Sequence, residues 1–217
     1  MSPAPDETRA EPAWAGRGEA GRKTLVIACG ALAREIVMLR DGPLGAFDVT
    51  CLPAELHNRP SLIPAAVQAR IAQNRGAYAR ILCLYGDCGT GGELDRVLAR
   101  EGVTRIAGAH CYEFFAGAED FSAMMAAEPG TLFLTDFLVR HFDRLVVAGL
   151  GLDRHPELRD EYFRNYRRLA HLAQVDDADL AAKGEAAARR LGLEHERRLT
   201  GVGALAAFVA KDARWPA

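Results

Sequence analysis

The stretch TLVIACGALAREIVMLR, residues 24–40, decides the fold. TLVIAC is almost wholly apolar, as a strand covered on both faces must be. ALAREIVMLR then sets Leu32, Ile36 and Leu39 on one helical stripe with Arg34 and Glu35 beside it. A buried strand running through Cys29-Gly30 straight into a helix is the opening of a βα unit. The pattern repeats outward. Strand patterns at 24–29, 47–52, 80–85, 104–109, 131–135, 168–173 and 194–199 alternate with helical patterns at 31–40, 60–74, 92–101, 112–126, 136–148, 156–165, 178–191 and 202–210. This alternation predicts an α/β fold with a mostly parallel, Rossmann-like layered sheet and helices on both faces.

Breaks between the patterns are short. DGPLGAF (41–47) and EPGT (128–131) are turns, and GLGLDRHPE (149–157) is the longest loop. That loop is expected to divide an α/β unit over 24–150 from a C-terminal α/β extension over 151–217. Residues 1–23 are rich in Pro, Ala, Gly and charge and carry no apolar core of a secretory signal, so a disordered tail is expected there.

Composition excludes several classes. A formal net charge of −2 over 217 residues argues against a basic nucleic-acid binder. No apolar run approaches the roughly 20 residues that cross a bilayer. Five cysteines, an odd number without an export signal, point to reduced thiols and a cytoplasmic location rather than a disulfide framework.

Three of those cysteines stand where strands should end: Cys29 after TLVIA, Cys88 after ILCLYG and Cys111 after TRIAGAH. Ligands of open α/β sheets bind outside the carboxyl ends of the strands, so the three thiols are expected in one crevice. Cys29 would also sit at a helix N-terminus, where the macrodipole favours thiolate. Cys51 and Cys83 fall inside strands and read as core residues. Around Cys88 the run YGDCGTGGE offers Gly86, Gly89, Gly91 and Gly92, whose backbone N–H groups are expected to turn toward an anion or cluster. It matches neither a P-loop nor a dinucleotide fingerprint. His57, in the polar turn LPAELHNRP, reads as a fourth metal ligand, a proton donor or a plain loop residue. Glu113, in HCYEFFAG, is a candidate proton-transfer group. Thr135 and Asp136 follow TLFLT and either cap the next helix or contact a ligand. The aromatic and basic stretch 156–168 reads as an amphipathic helix with a face for a protein partner.

Taken in order, CGALAREI, LPAELHNRP, YGDCG, HCYEFFAG and PGTLFLTDF resemble the uncharacterised prokaryotic family catalogued as domain of unknown function 1638, over residues 24–210. The resemblance carries over Cys29-Gly30, Leu56 to Asn58, Tyr85 to Gly89, Cys111, and Pro129 to Thr131 before Thr135. It adds Tyr85 to the expected cofactor contacts of Gly30, Gly86, Gly89 and Thr135. Many relatives place an Asp between a His and a Cys where this chain runs His110-Cys111, which separates His110 from the family pattern. The family has no established activity, and some members are associated with corrinoid-dependent methyl transfer.

Three functional classes follow. The first is a thiolate-rich metal- or iron–sulfur-binding protein, with an enzyme of sulfur or methyl-group transfer as one form of it. Cys29, Cys88, Cys111 and His57 would hold zinc or a [4Fe–4S] cluster with an open iron. The second is a metal-free thiol enzyme, with Cys29 or Cys88 as nucleophile and His57 or His110 as base. The third is a non-catalytic accessory protein that holds a small molecule or cofactor, for instance in a corrinoid methyl-transfer system.

Overall fold

The computed structural model describes residues 24–41 and 47–212; the expected disordered tail and most of the turn at 41–47 lie outside them. Among the described residues seven strands form: β1 Thr24–Cys29, β2 Phe47–Leu52, β3 Arg80–Leu84, β4 Thr104–Arg105, β5 Thr131–Thr135, β6 Arg168–Ala173 and β7 Glu194–Leu199. All the pairings are parallel. The expected α/β class therefore holds, but the strands are shared between two sheets, of order β2-β1-β3-β4 and β5-β6-β7. The change of sheet falls between Arg105 and Thr131.

Nine α-helices cover the sheets: α1 Ala33–Arg40, α2 Ile63–Asn74, α3 Glu93–Glu101, α4 Cys111–Ala116, α5 Ala118–Ala127, α6 Asp136–Arg140, α7 Leu158–Phe163, α8 Ala178–Leu191 and α9 Gly203–Asp212, counted among the described residues. A π-helical segment runs over Asp143–Ala148.

Alternation along the strands builds the cores. On β1, Leu25 and Ile27 join Val67 and Ile71 of α2 and Leu94 and Leu98 of α3. Val26 and Ala28 point the other way, onto Leu32, Ile36 and Phe114. Each Leu or Ile so buried contributes about 1.5–3 kcal/mol. Leu205 and Val209 of α9 belong to this second cluster, so the C-terminal helix returns across the molecule to complete the first sheet's core. The second sheet is covered likewise, by α6 and α8 around Leu134 and Leu169 and by Met124 of α5 against Phe133 and Leu172.

A buried polar cross-link locks the carboxyl end of the second sheet. Asp136, 1% exposed, takes His171 Nε2 on Oδ1 at 2.8 Å and the N–H groups of Gln174 and Val175 on Oδ2 at 3.0 Å each. The Gln174 side chain returns the contact, accepting from Asp136 N at 2.8 Å. Asp136 thus joins the end of β5 to the end of β6.

Candidate functional site

The two sheets turn their carboxyl ends toward a shared cavity of about 370 Å³. The first unit lines it with Cys29, His57, Tyr85, Gly86, Cys88 and Cys111; the second unit contributes β5 from Leu132 to Thr135, then Phe137 and Leu138. Leu145 and Val146 of the π-helical segment and Tyr162, Phe163 and Tyr166 of the 156–168 stretch close the wall. Beside the pocket an exposed ion pair joins the units, Arg144 Nη1 to Glu55 Oε1 at 3.1 Å.

Cys29, Cys88 and Cys111 at or after strand ends, and His57 in the turn after β2, all line this one cavity. That shared lining does not make them a metal centre. Among the described residues, no group of three or more His, Cys, Asp or Glu side chains is arranged to hold a metal ion. The thiolate-rich metal- or cluster-binding reading, with its zinc or [4Fe–4S] site, is thereby corrected. Cys88 packs with Tyr85 and Ile63 on one face of the first sheet, Cys111 packs with Leu32 and Phe114 on the other, and Cys29 borders both clusters. The thiols share one cavity but are embedded in two apolar cores rather than assembled as a ligand set.

The thiols are also held neutral. Burial pushes Cys29 up, against the N–H of Ala31 and the Tyr85 hydroxyl, which act in the opposite direction. Burial and the neighbouring Cys29 push Cys88 up to about 11, and burial with Cys88 and Cys29 nearby raises Cys111. The helix-dipole expectation at Cys29 is outweighed by desolvation, and a raised thiol pKa lowers the thiolate fraction that nucleophilic chemistry needs. His57 is exposed at the rim; desolvation there, with His110 close by, lowers its pKa and favours the neutral ring.

Several residues singled out from sequence have local duties. Glu113 is absent from the lining; its Oε1 accepts from Ala109 N at 2.8 Å and His110 N at 3.3 Å, closing the start of α4. The glycine-rich run folds about Asp87, whose carboxylate takes Thr90 Oγ1 at 2.6 Å, Gly92 N at 2.8 Å and Gly91 N at 3.2 Å. The Thr90 bond is the largest cause of the depressed Asp87 pKa. Those N–H groups are spent on the loop itself rather than presented to an anion or cluster. Gly30 and Gly89 stand outside the lining. A Cβ on Gly30 would come within 3.0 Å of Leu52 O, so this glycine lets β1 leave the sheet close against β2. Cys88 has φ +50°, the one positive value at a non-glycine among the described residues. Its N–H on Ala109 O at 2.8 Å and that of Asp87 on Gly108 O at 3.0 Å hold the turn in place. Thr135 lines the cavity, and its Oγ1 accepts from Leu138 N at 3.4 Å, the cap of α6 that its position suggested. Cys83 is fully buried, to about 12 in pKa through desolvation, and Cys51 is partly buried.

Tyr85 is the residue whose role the sequence least disclosed. It is 2% exposed and lies against Cys29, yet its hydroxyl has no hydrogen-bond partner of ordinary geometry. Burial and the surrounding cysteines keep the phenol protonated. An unpaired buried donor is costly, and this one borders the cavity.

Fold and cavity together define a two-sheet parallel α/β protein with a largely apolar pocket between the carboxyl ends of its sheets. The chain belongs to the family described as protein of unknown function DUF1638, which it matches over residues 51–209. No curated protein and no solved structure shows significant similarity to it. Among the described residues no helix is long and apolar enough to cross a membrane.

Proposed function

We propose that the protein binds a small, uncharged, largely apolar organic molecule between its two sheets. One observation carries this reading: the cavity is lined by apolar and aromatic side chains, neutral thiols, a few hydroxyls, the Asn58 amide and the His57 ring, whose pKa is lowered, with no Asp, Glu, Lys or Arg. A charged ligand entering such a site leaves its hydration behind and meets no counter-charge, a cost of several kcal/mol. An uncharged one gains about 25 cal/mol for each Å² of apolar surface it buries. Large concave pockets with few polar groups, set at strand carboxyl ends, are the usual form of small-molecule sites in α/β proteins. Free thiols at all five cysteines suit a reducing compartment such as the cytoplasm.

Equilibrium dialysis with two probes of matched size tests the reading. 2-Acetylnaphthalene, which is uncharged, is expected to bind, and 2-naphthoate, an anion at neutral pH, to bind at least tenfold more weakly. Preference for the carboxylate would contradict it. Val146→Trp, which fills the half-open wall, should reduce binding of the neutral probe.

A further inference from the structure

We infer that the ligand carries a hydrogen-bond acceptor, a carbonyl oxygen or an aromatic ring nitrogen, and that Tyr85 is the residue that selects for it. The inference rests on the neutral-pocket reading above and adds the polar half of the recognition.

Three observations support it. Tyr85 lines the cavity, is 2% exposed, and has a hydroxyl without a hydrogen-bond partner. Its near neighbours are the thiols Cys29, Cys83 and Cys88; the hydroxyl approaches the Cys29 sulfur without reaching ordinary hydrogen-bond geometry, and a thiol sulfur is a weak acceptor that leaves the donor largely unused. Water is a poor substitute, since it needs two to four polar partners, and the Tyr85 surroundings on the first sheet are Leu, Ile and Cys side chains. The phenol is therefore a strong donor held protonated in an apolar site, with its acceptor still to come. A ligand carbonyl or ring nitrogen would complete it while remaining uncharged. The aromatic wall opposite, Phe133, Phe137 and Tyr166, suits a planar ring joined to that acceptor. Sites built to hydrogen-bond a ligand reject the analogue that lacks the group, because the protein's buried donor is then left unpaired.

The test compares 2-acetylnaphthalene with 2-ethylnaphthalene, which has the same carbon skeleton without the acceptor, on the wild-type protein and on Tyr85→Phe. The wild type should bind the ketone about tenfold more tightly than the hydrocarbon. In Tyr85→Phe that preference should disappear, and the ligand-free variant should melt at the same temperature as wild type or higher, because it loses an unpaired donor. A hydroxyl with a purely structural partner would give the opposite, a lower melting temperature. Equal binding of both probes by wild type, or an unchanged preference in Tyr85→Phe, overturns the inference and leaves the pocket reading intact. Binding of neither probe overturns both. The wild-type comparison needs no variant, so it stands even if Tyr85→Phe folds poorly.

Discussion

Tyr85 and Cys29 stand one rung beyond the end of the β1–β3 ladder. Its last pair is Ala28 with Leu84, and alternation turns Cys29 and Tyr85 to the same face, the one that carries Ile27 and Cys83. A phenol thus meets a thiol where two parallel strands open onto the cavity. This relationship makes the carboxyl edge of the first sheet a neutral, soft surface rather than a charged one, and the alkaline response of the protein should report it.

All five thiols, with Tyr85 and Tyr112, have raised pKa values, with burial as the largest cause. The unfolded chain ionises its thiols near 9, while Cys88 holds its proton to about 11 and Cys83 to about 12. Between those limits the native state binds more protons than the unfolded one, so stability falls as pH rises. Each fully buried thiol gives a slope approaching about 1.4 kcal/mol per pH unit. Urea melts from pH 8 to 11 should show a steady decline, shallower in Cys83→Ala. A flat profile would mean that the thiols are solvated.

Glu35 of α1 is 3% exposed, and its Oε2 has no partner. Burial, with Asp136 across the junction between the units, raises its pKa; Arg34 and Arg140 act in the opposite direction. The unfolded carboxyl ionises near 4.5 while the folded one resists, so its contribution to stability is present below that pH and lost above it. Glu35→Gln should stabilise the protein at pH 7 by about 1 kcal/mol, with the difference vanishing below pH 4. Destabilisation at pH 7 would show that the carboxylate is paired.

Asp136→Ala removes three acceptor contacts at once and leaves His171, 0% exposed, without its carboxylate. A loss of about 3–5 kcal/mol is expected in chemical denaturation. Asp136→Asn retains some of the hydrogen bonds and should cost less.

Gly184 of α8 lies over the same network. A Cβ there would sit 2.8 Å from His171 Nδ1 and 3.2 Å from His195 Nε2. His171 is pinned by Asp136 and cannot retreat. The clash, about 1–3 kcal/mol, should outweigh the roughly 1 kcal/mol that alanine gains in helix propensity, so Gly184→Ala should lower the melting temperature.

Much of this architecture was legible in the pattern of residues. Strands 24–29, 47–52, 131–135, 168–173 and 194–199 form as expected; apolar runs between turn residues are a strong local signal for most of them, whereas EHERRL at 194–199 is polar and sits at the edge of the second sheet. The differences come from tertiary contacts. The strand expected over 104–109 ends at Arg105, since Gly108 O and Ala109 O are taken by the Asp87–Cys88 turn. The helix expected over 112–126 breaks at Gly117, φ +83°, into α4 and α5. The strand-end rule pointed to Cys29, Cys88, Cys111 and Thr135, the glycine-rich run to Gly86 and the family resemblance to Tyr85, all of them on the cavity wall. The rule finds which residues reach the strand ends but not whether they assemble into a ligand set, and among the described residues no such set forms. The opposite wall was hidden, because Leu132, Leu138, Val146 and Phe163 are apolar residues that a sequence cannot tell from core.

Methyl NMR of the wild-type protein titrated with 2-acetylnaphthalene tests the central claim most directly. If an uncharged molecule binds between the sheets, the methyl groups of Leu132, Leu134, Leu138 and Val146, which line the cavity, should shift together. Those of Leu94, Leu98 and Val209, which pack in the first unit's cores away from it, should stay in place. Shifts scattered over exposed methyls such as those of Leu62 and Leu199, or no shifts up to the solubility limit of the probe, would contradict the account.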